Sequence, residues 1–319
     1  MKRTAVLVVA SITFGLVIGA AQSNAEEAKL KAAAFLPEQV VLAKYFYRWA
    51  RETNARCDGK LEISVVGPAA IPSLEQWSAL KTGVIDMYFG PANYYKGAVP
   101  EADVFVVAKT SPAEQRKNGA WAAINELHNA KLNAWYLTPV NYGVPFYIYT
   151  TKPAQDGKLE GLRVRSVPLY DGILKRLGAN PVRMSATDVN TALERGTVDG
   201  YGWPSWGINA FGFEKFTKYY YGPGFFSAAS PVFVNLDRWK GFSDDQRQCL
   251  TDSAVWLEGV WPQWLEEENK AQQAILDTSG ITYGELDAAV MQQVEAAYWN
   301  ELAAANSAFI AKVKPLLTK

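Results

Sequence analysis

The sequence predicts an α/β protein built as two lobes of similar plan. Strand-like and helix-like segments alternate along the chain, the pattern of α/β architecture. One stretch of sequence recurs in the second half. The size also suits two lobes: 319 residues, 49% apolar and only 20% charged, are enough for a sizeable core and argue against global disorder.

The elements follow in order. Lys2 and Arg3 open a leader whose apolar stretch runs from Ala5 to Ala20, and Ser23-Asn24-Ala25 supplies small residues at both specificity positions of a signal-peptidase site. The expected product is a soluble exported protein beginning at Glu26, since no later segment is apolar for long enough to cross a bilayer. Leu30–Phe35 reads as a short strand. From Glu38 to Asn54, Val41, Tyr45 and Trp49 recur every four residues with Leu42, Phe46 and Ala50 beside them, which is one helix face. Asp58-Gly59-Lys60 is a turn before the alternating strand Leu61–Val66. Ser73-Leu74-Glu75-Gln76 reads as a capping box opening a short helix that Gly83 ends. Ile85, Met87 and Phe89 alternate along the next strand. Ser111-Pro112-Ala113-Glu114 is a second capping box, opening a helix expected to reach about Ala130.

The repeat is the most informative feature. Ala79-Leu80-Lys81-Thr82-Gly83-Val84-Ile85-Asp86-Met87-Tyr88 resembles Ala192-Leu193-Glu194-Arg195-Gly196-Thr197-Val198-Asp199-Gly200-Tyr201. Each reads as a helix end, a glycine terminator and a strand carrying Asp. Upstream, Gly59-Lys60-Leu61-Glu62 matches Gly157-Lys158-Leu159-Glu160, which precedes the strand Leu162–Val167. The same two-part pattern in the same order points to duplicated lobes. Two such lobes enclose a cleft, where ligand sites concentrate and which hinge motion closes.

Composition excludes several functions. The formal net charge is 0, falling to −2 once Lys2 and Arg3 are cleaved off, and no basic run stands out, so no nucleic-acid partner is expected. His128 is the one histidine, which leaves a Ser-His-Asp triad a single candidate base, and the two cysteines cannot build a Cys-rich metal site. Export permits a Cys57–Cys249 disulfide, although sequence alone leaves open whether the two lie in bridging range or stay buried thiols. The 11 Trp, 16 Tyr and 14 Phe exceed what one core usually needs, yet most, including Trp256, Trp261 and Trp264 in a long helical region, are packing residues.

Further motifs resemble those of a known family. Gly161-Leu162-Arg163-Val164-Arg165, then Leu177-Gly178-Ala179-Asn180-Pro181, then the Ala192–Gly200 stretch are similar, spacing included, to the central signature of TRAP (tripartite ATP-independent periplasmic) transporter solute-binding proteins. Tyr219-Tyr220-Tyr221-Gly222-Pro223-Gly224, Val232-Phe233-Val234-Asn235, Phe242-Ser243-Asp244-Asp245-Gln246 and Tyr95-Lys96-Gly97-Ala98-Val99-Pro100 look like it too. The resemblance spans essentially the whole mature chain and reaches the branch that receives dicarboxylates and 2-oxo acids. It implies a two-lobed α/β periplasmic binding protein with mixed sheets, strands crossing between the lobes and a long bridging helix. The corresponding division is 1–25 leader, 26–137 and 226–262 lobe 1, 138–225 lobe 2, and 263–319 bridging and C-terminal helices packing on lobe 2.

The resemblance further implies capture of an organic acid in the periplasm and delivery to TRAP membrane permease subunits, without chemistry and without a cofactor. The family clamps its ligand's carboxylate with an Arg, which by motif position is Arg165. A guanidinium fork suits a carboxylate in a way Lys cannot copy. Arg163, two residues earlier on the strand, is expected to be structural. Trp203, Phe225 and Phe226 are candidate cavity walls, Tyr94 and Asn141 candidate hydrogen-bonding groups, and Phe35 a further wall at the end of the first strand. The chain departs from the family where many members carry Glu after Val-Asp-Gly-X: here that position is Gly202, so no metal is expected beside the ligand. One Arg among aromatics points to a monocarboxylate, either a 2-oxo or 2-hydroxy acid or an aromatic acid. Other readings are a binding protein for an ABC-type permease, a sensory receptor, and an exported hydrolase drawing on Asp86, Asp199 and Glu194; the last would need two carboxylates flanking one bond.

Protein recovered from the periplasm should begin at Glu26; intact-mass analysis checks this, and retention of residues 1–25 would contradict it.

Overall fold

The two halves of the chain fold by the same rule. A strand is followed by a covering helix and then by strands laid parallel on either side of it. The computed structural model describes residues 26–318; the leader assigned to 1–25 lies outside the described residues. In chain order, the first half runs β1 (Ala28–Ala34), α1 (Val41–Arg56), β2 (Leu61–Val66), α2 (Gln76–Lys81), β3 (Met87–Phe89), α3 (Val104–Val107), α4 (Pro112–Asn118), α5 (Ala120–Leu132) and β4 (Ala134–Val140). Next come β5 (Phe146–Thr150), β6 (Arg163–Ser166), α6 (Asp171–Arg176), β7 (Asn180–Arg183), α7 (Val189–Glu194), β8 (Gly200–Pro204) and β9 (Tyr219–Phe225). The chain closes with β10 (Ser230–Asn235), α8 (Leu236–Lys240), α9 (Asp244–Thr278), β11 (Thr282–Glu285), α10 (Ala288–Ala305) and α11 (Ser307–Leu317). Among the described residues, no helix is long and apolar enough to cross a membrane.

The strands form two mixed sheets, ordered β2-β1-β3-β10-β4 and β7-β6-β8-β5-β9-β11. Aligned in this direction, the first five strands of each agree in sense at every neighbour, two parallel pairs followed by two antiparallel pairs. The duplicated lobes are thus real, and the repeat explains their register. Asp86 accepts from the Lys31 amide at 2.8 Å while its own amide donates to Lys31 O at 2.9 Å. Asp199 does the same to Arg163, at 3.0 and 2.6 Å. Each aspartate therefore pins its strand to the lobe's central strand. The turns before them also match: Val84 and Thr197 donate to Ala79 O and Ala192 O, after Gly83 and Gly196 at φ of 76° and 62°. The second sequence match is not equivalent. Gly59–Glu62 enters β2, whose counterpart is β7, whereas Gly157–Glu160 precedes β6.

Several local readings shift. α1 starts at Val41 rather than Glu38. Ser111 and Glu114 form their capping box, but Gly119, at φ 90°, ends α4, and α5 resumes to Leu132. The Ser73 box does not form. Ser73 Oγ instead donates to Phe35 O at 2.8 Å, and the Gln76 amide donates to Ala34 O and Ile71 O, both at 3.0 Å. Both side chains thus turn toward carbonyls at the end of β1 and in the loop before α2 instead of toward the first helix amides, and α2 begins only at Gln76.

The chain crosses between sheets at 141–145 and 226–229. These segments are tied together: Gly143 donates to Ser227 Oγ at 2.8 Å and Ala228 to Val144 O at 2.9 Å. Asn141, Gly143 and Phe226 hold φ of 62°, 83° and 52° there. α9 runs 35 residues, about 50 Å at the usual rise, and passes through Pro262 without ending. It begins at Asp244, so the bridging helix straddles the boundary expected at 262/263. Its first half packs on α1. Cys57 and Cys249 are joined there, with Cα atoms 5.9 Å apart, and Trp49 Nε1 donates to Ser253 O. Further along, Lys44 and Tyr45 both meet Glu268 at 2.8 Å. Trp261 then donates to Tyr142 O in the crossing, and Asn269 and Gln272 accept from Trp206 and Gly207 of the second lobe. β4 belongs to the first lobe through Val140. The C-terminal helices do not pack on the second lobe alone: Tyr298 donates to Asp103, Asn306 to Glu101, and the Lys109 amide to Leu317 O, all first-lobe contacts.

Replacing Cys57 and Cys249 by Ala should lower unfolding stability by about 2–5 kcal/mol, because the bridge closes a long loop of the unfolded chain; urea titration of both proteins checks this. Asp199 gives a pH dependence. Burial alone would raise its pKa, but hydrogen bonds from Arg163 and Lys152 outweigh that and hold it at about 2, against an ordinary 3.8. Its contribution is therefore fully present above about pH 4 and lost as pH falls toward 2. Asp199→Asn should cost at most about 2 kcal/mol at neutral pH, the half-exposed cations screening part of it, and the variant should converge with the parent in acid.

Candidate functional site

The carboxyl ends of β1, β3, β6, β7 and β8 and the start of β10 converge on a cavity between the two sheets. Its volume is about 70 Å³, and its lining is mostly apolar, without an Asp or Glu. On this measure about 10–15 Å³ already admits a water, so the cavity has room for a small molecule. The first lobe contributes Phe35, Leu36, Leu42 and Tyr94, and the second Phe146, Arg165, Val167, Tyr170 and Trp203; Asn141 and Ala228–Ser230 come from the crossings and their margin.

Arg165 is the cavity's cation. β6 lies between β7 and β8, with Asp199 pinning Arg163 two residues upstream, so the position of Arg165 is set by the sheet. Only 4% of it is exposed. Nε donates to Met184 O at 3.2 Å, Nη1 to Gly202 O at 3.4 Å, and the guanidinium stands 5.6 Å from the centre of the Trp203 ring. No carboxylate pairs with it among the described residues. Burial pushes its pKa down, and the phenol oxygens of Tyr170 and Tyr94 oppose the shift. An Arg side chain nevertheless stays charged, so the site holds a desolvated positive charge without a counter-ion. Burial in turn raises both phenols, Arg165's charge partly offsetting it. Arg163 has the structural role expected of it: it pairs with Asp199 at 3.0 Å and donates to Gly196 O at 2.7 Å.

Of the residues expected at the site, Arg165, Trp203, Tyr94, Asn141 and Phe35 line the cavity. Trp203 is held by Nε1 donating to Trp206 O at 3.1 Å and by edge contacts to Phe211 and Phe213. Phe35 packs edge-on against Tyr94, ring centres 6.0 Å apart. Phe225 and Phe226 are corrected. Phe225 stacks behind Phe146, one layer from the cavity, and Phe226, turned by its positive φ, meets Tyr298 of α10 at 4.7 Å. Both line a separate groove behind the crossings. Tyr170 lines the cavity as well, at a position that no motif in the sequence singles out. The rule that ligands gather outside the carboxyl ends of strands would have flagged the segment 167–170 after β6.

Tyr170 also explains Gly202. A Cβ at Gly202 would lie 2.9 Å from the Tyr170 ring, so no larger residue fits without displacing it. The glutamate that a metal-assisted site would place there is excluded by packing, and the lining supplies no other carboxylate. A cation beside the ligand would have to be held by neutral oxygens alone, next to the charge of Arg165. Nor do the residues present assemble a hydrolase. Asp86 and Asp199 are spent on strand register. His128 is fully buried among Tyr95, Phe105 and Phe233, its pKa pushed down to about 4 by burial.

Residues 32–306 match the family model described as bacterial extracellular solute-binding protein, family 7. A monocarboxylate 2-oxoacid-binding periplasmic protein of Nostoc is 24% identical over 65% of this chain and 59% of its own length. A TRAP periplasmic solute-binding protein of Pseudoalteromonas atlantica, solved with sodium and pyruvate, superposes at a TM-score of 0.78 with 20% identity over 92% of this chain and 93% of its own. One from Roseobacter denitrificans, solved with L-galactonate, superposes at 0.75 with 19% identity over 92% and 99%. At these identities the structural likeness establishes the fold, and the ligand has to be argued from the cavity.

Proposed function

This chain belongs to family 7 of the bacterial extracellular solute-binding proteins, the TRAP receptor family, and on that premise we propose that it captures a small monocarboxylate, a 2-oxo or 2-hydroxy acid, between its lobes. The observation that carries this is the buried guanidinium of Arg165, unpaired in an apolar cavity without acidic residues. A ligand carboxylate would supply the missing charge in a water-poor site, where a two-pronged Arg–carboxylate pair is strong and directional. The cavity volume favours acids of few heavy atoms over sugar acids. Trp203 and Phe35, on opposite lobes, would close over the ligand body, so that occupancy favours the closed form. The receptor would act in the periplasm after cleavage following Ala25 and hand its ligand to TRAP permease subunits.

Titration calorimetry on Arg165→Lys and Arg165→Gln tests the clamp. Removing one member of a desolvated charge pair typically costs about 2–5 kcal/mol, a thirty-fold to several-thousand-fold loss of affinity. Arg165→Lys keeps the charge without the fork and should also bind poorly, whereas Arg163→Lys should bind nearly as the parent does. Normal binding by both Arg165 variants would refute carboxylate capture at this residue.

A further inference from the structure

Asn141 is fully buried and lines the same cavity as Arg165. Its Nδ2 donates to Leu42 O at 2.8 Å, across from the first crossing to α1. That bond settles which way the amide faces: turned over, Oδ1 would oppose a carbonyl oxygen, acceptor against acceptor. Oδ1 is left buried without a hydrogen-bond partner among the described residues. The backbone holds the side chain where it is, since φ is 62° and Asn is among the few residues that tolerate the left-handed region. The cavity therefore presents one fixed cation and one fixed acceptor.

A fixed acceptor asks for a donor. Resting on the carboxylate-capture reading above, we propose that Asn141 makes this receptor selective for 2-hydroxy acids over 2-oxo acids. With the carboxylate on Arg165, the 2-hydroxyl donates to Asn141 Oδ1. A 2-oxo group in that place would set a second acceptor against Oδ1 and leave both unmet. A 2-amino acid also offers a donor, but its ammonium would enter a lining that holds a guanidinium and no carboxylate. The hydroxyl is the neutral donor that satisfies both conditions. The other polar side chains of the lining, Asn93, Tyr94, Tyr170 and Ser230, can each turn a donor or an acceptor to either kind of ligand, so they do not set the preference.

The test is calorimetric titration of the purified mature protein with matched pairs, pyruvate against each lactate enantiomer and 2-oxobutyrate against each 2-hydroxybutyrate enantiomer. The expected result is that one hydroxy acid of each pair binds about tenfold to a hundredfold more tightly, the usual consequence of leaving a buried acceptor unmet. Asn141→Gly accepts the backbone conformation and removes the acceptor, so it should bring the ratio close to one while binding still depends on Arg165. Oxo acids that bind as well as or better than both enantiomers, with Arg165 still required, would overturn the proposal and leave carboxylate capture standing. A ratio that survives in Asn141→Gly would likewise overturn it. Binding of these acids that is indifferent to Arg165→Gln would overturn the capture reading, and this proposal with it.

Discussion

A guanidinium buried without a counter-ion is costly, and the architecture around Arg165 is what makes it tolerable. Carbonyls of Met184 and Gly202 accept from it, the face of Trp203 lies beside it, and the Tyr94 and Tyr170 side chains share its cavity. None of these neutralises the charge. They hold the cation in place, and on the proposed reading its strongest partner would be the ligand. On that reading, a ligand carboxylate would relieve this desolvated charge. Such a device works only if the Arg cannot swing out to solvent. The strand beneath it prevents that: β6 lies between two parallel neighbours, and Asp199 ties it to the start of β8.

The same aspartate clamp recurs at Asp86 in the other lobe, where no cation follows. Lys31 and Arg163 make equivalent backbone bonds, so Ala33 stands where Arg165 stands. Duplication supplied two similar sheets, and charge was placed in one of them. The lobe without the Arg contributes Phe35, Leu42 and Tyr94, which close the cavity from the other side. Moving one lobe against the other requires the crossings to bend. They carry the left-handed residues Asn141, Gly143 and Phe226, and Trp261 of α9 is bonded to them directly. Asn141 belongs both to a crossing and to the cavity wall, so the two meet in one residue.

Much of this was legible in the residues. The repeat, with its paired glycine terminators and aspartates, announced duplicated lobes because a turn needing φ > 0 and a strand needing a clamp leave local marks. Motif position singles out Arg165 and separates it from Arg163, and the residues expected as walls at Trp203 and Phe35 and as hydrogen-bonding groups at Tyr94 and Asn141 do line the cavity. The match of Gly59–Glu62 to Gly157–Glu160 misled, because four residues around a turn do not say which strand of a sheet they enter. The Ser73 box misled because a cap competes with any stranded carbonyl nearby, and that carbonyl, Phe35 O, is distant in sequence.

Local properties, namely periodicity, turn chemistry and the glycines and aspartates at strand starts, were determined by the sequence itself, since each depends on neighbours a few positions away. Tertiary structure decided everything that depends on which surfaces meet. It turned Phe225 and Phe226 away from the cavity and brought Tyr170 over Gly202. It also joined Cys57 to Cys249 on adjoining helices and left Asn141 Oδ1 as the unmet acceptor. The reason is physical: a buried group's partners are set by packing between segments far apart in the chain, and no window of sequence contains both sides of such a contact.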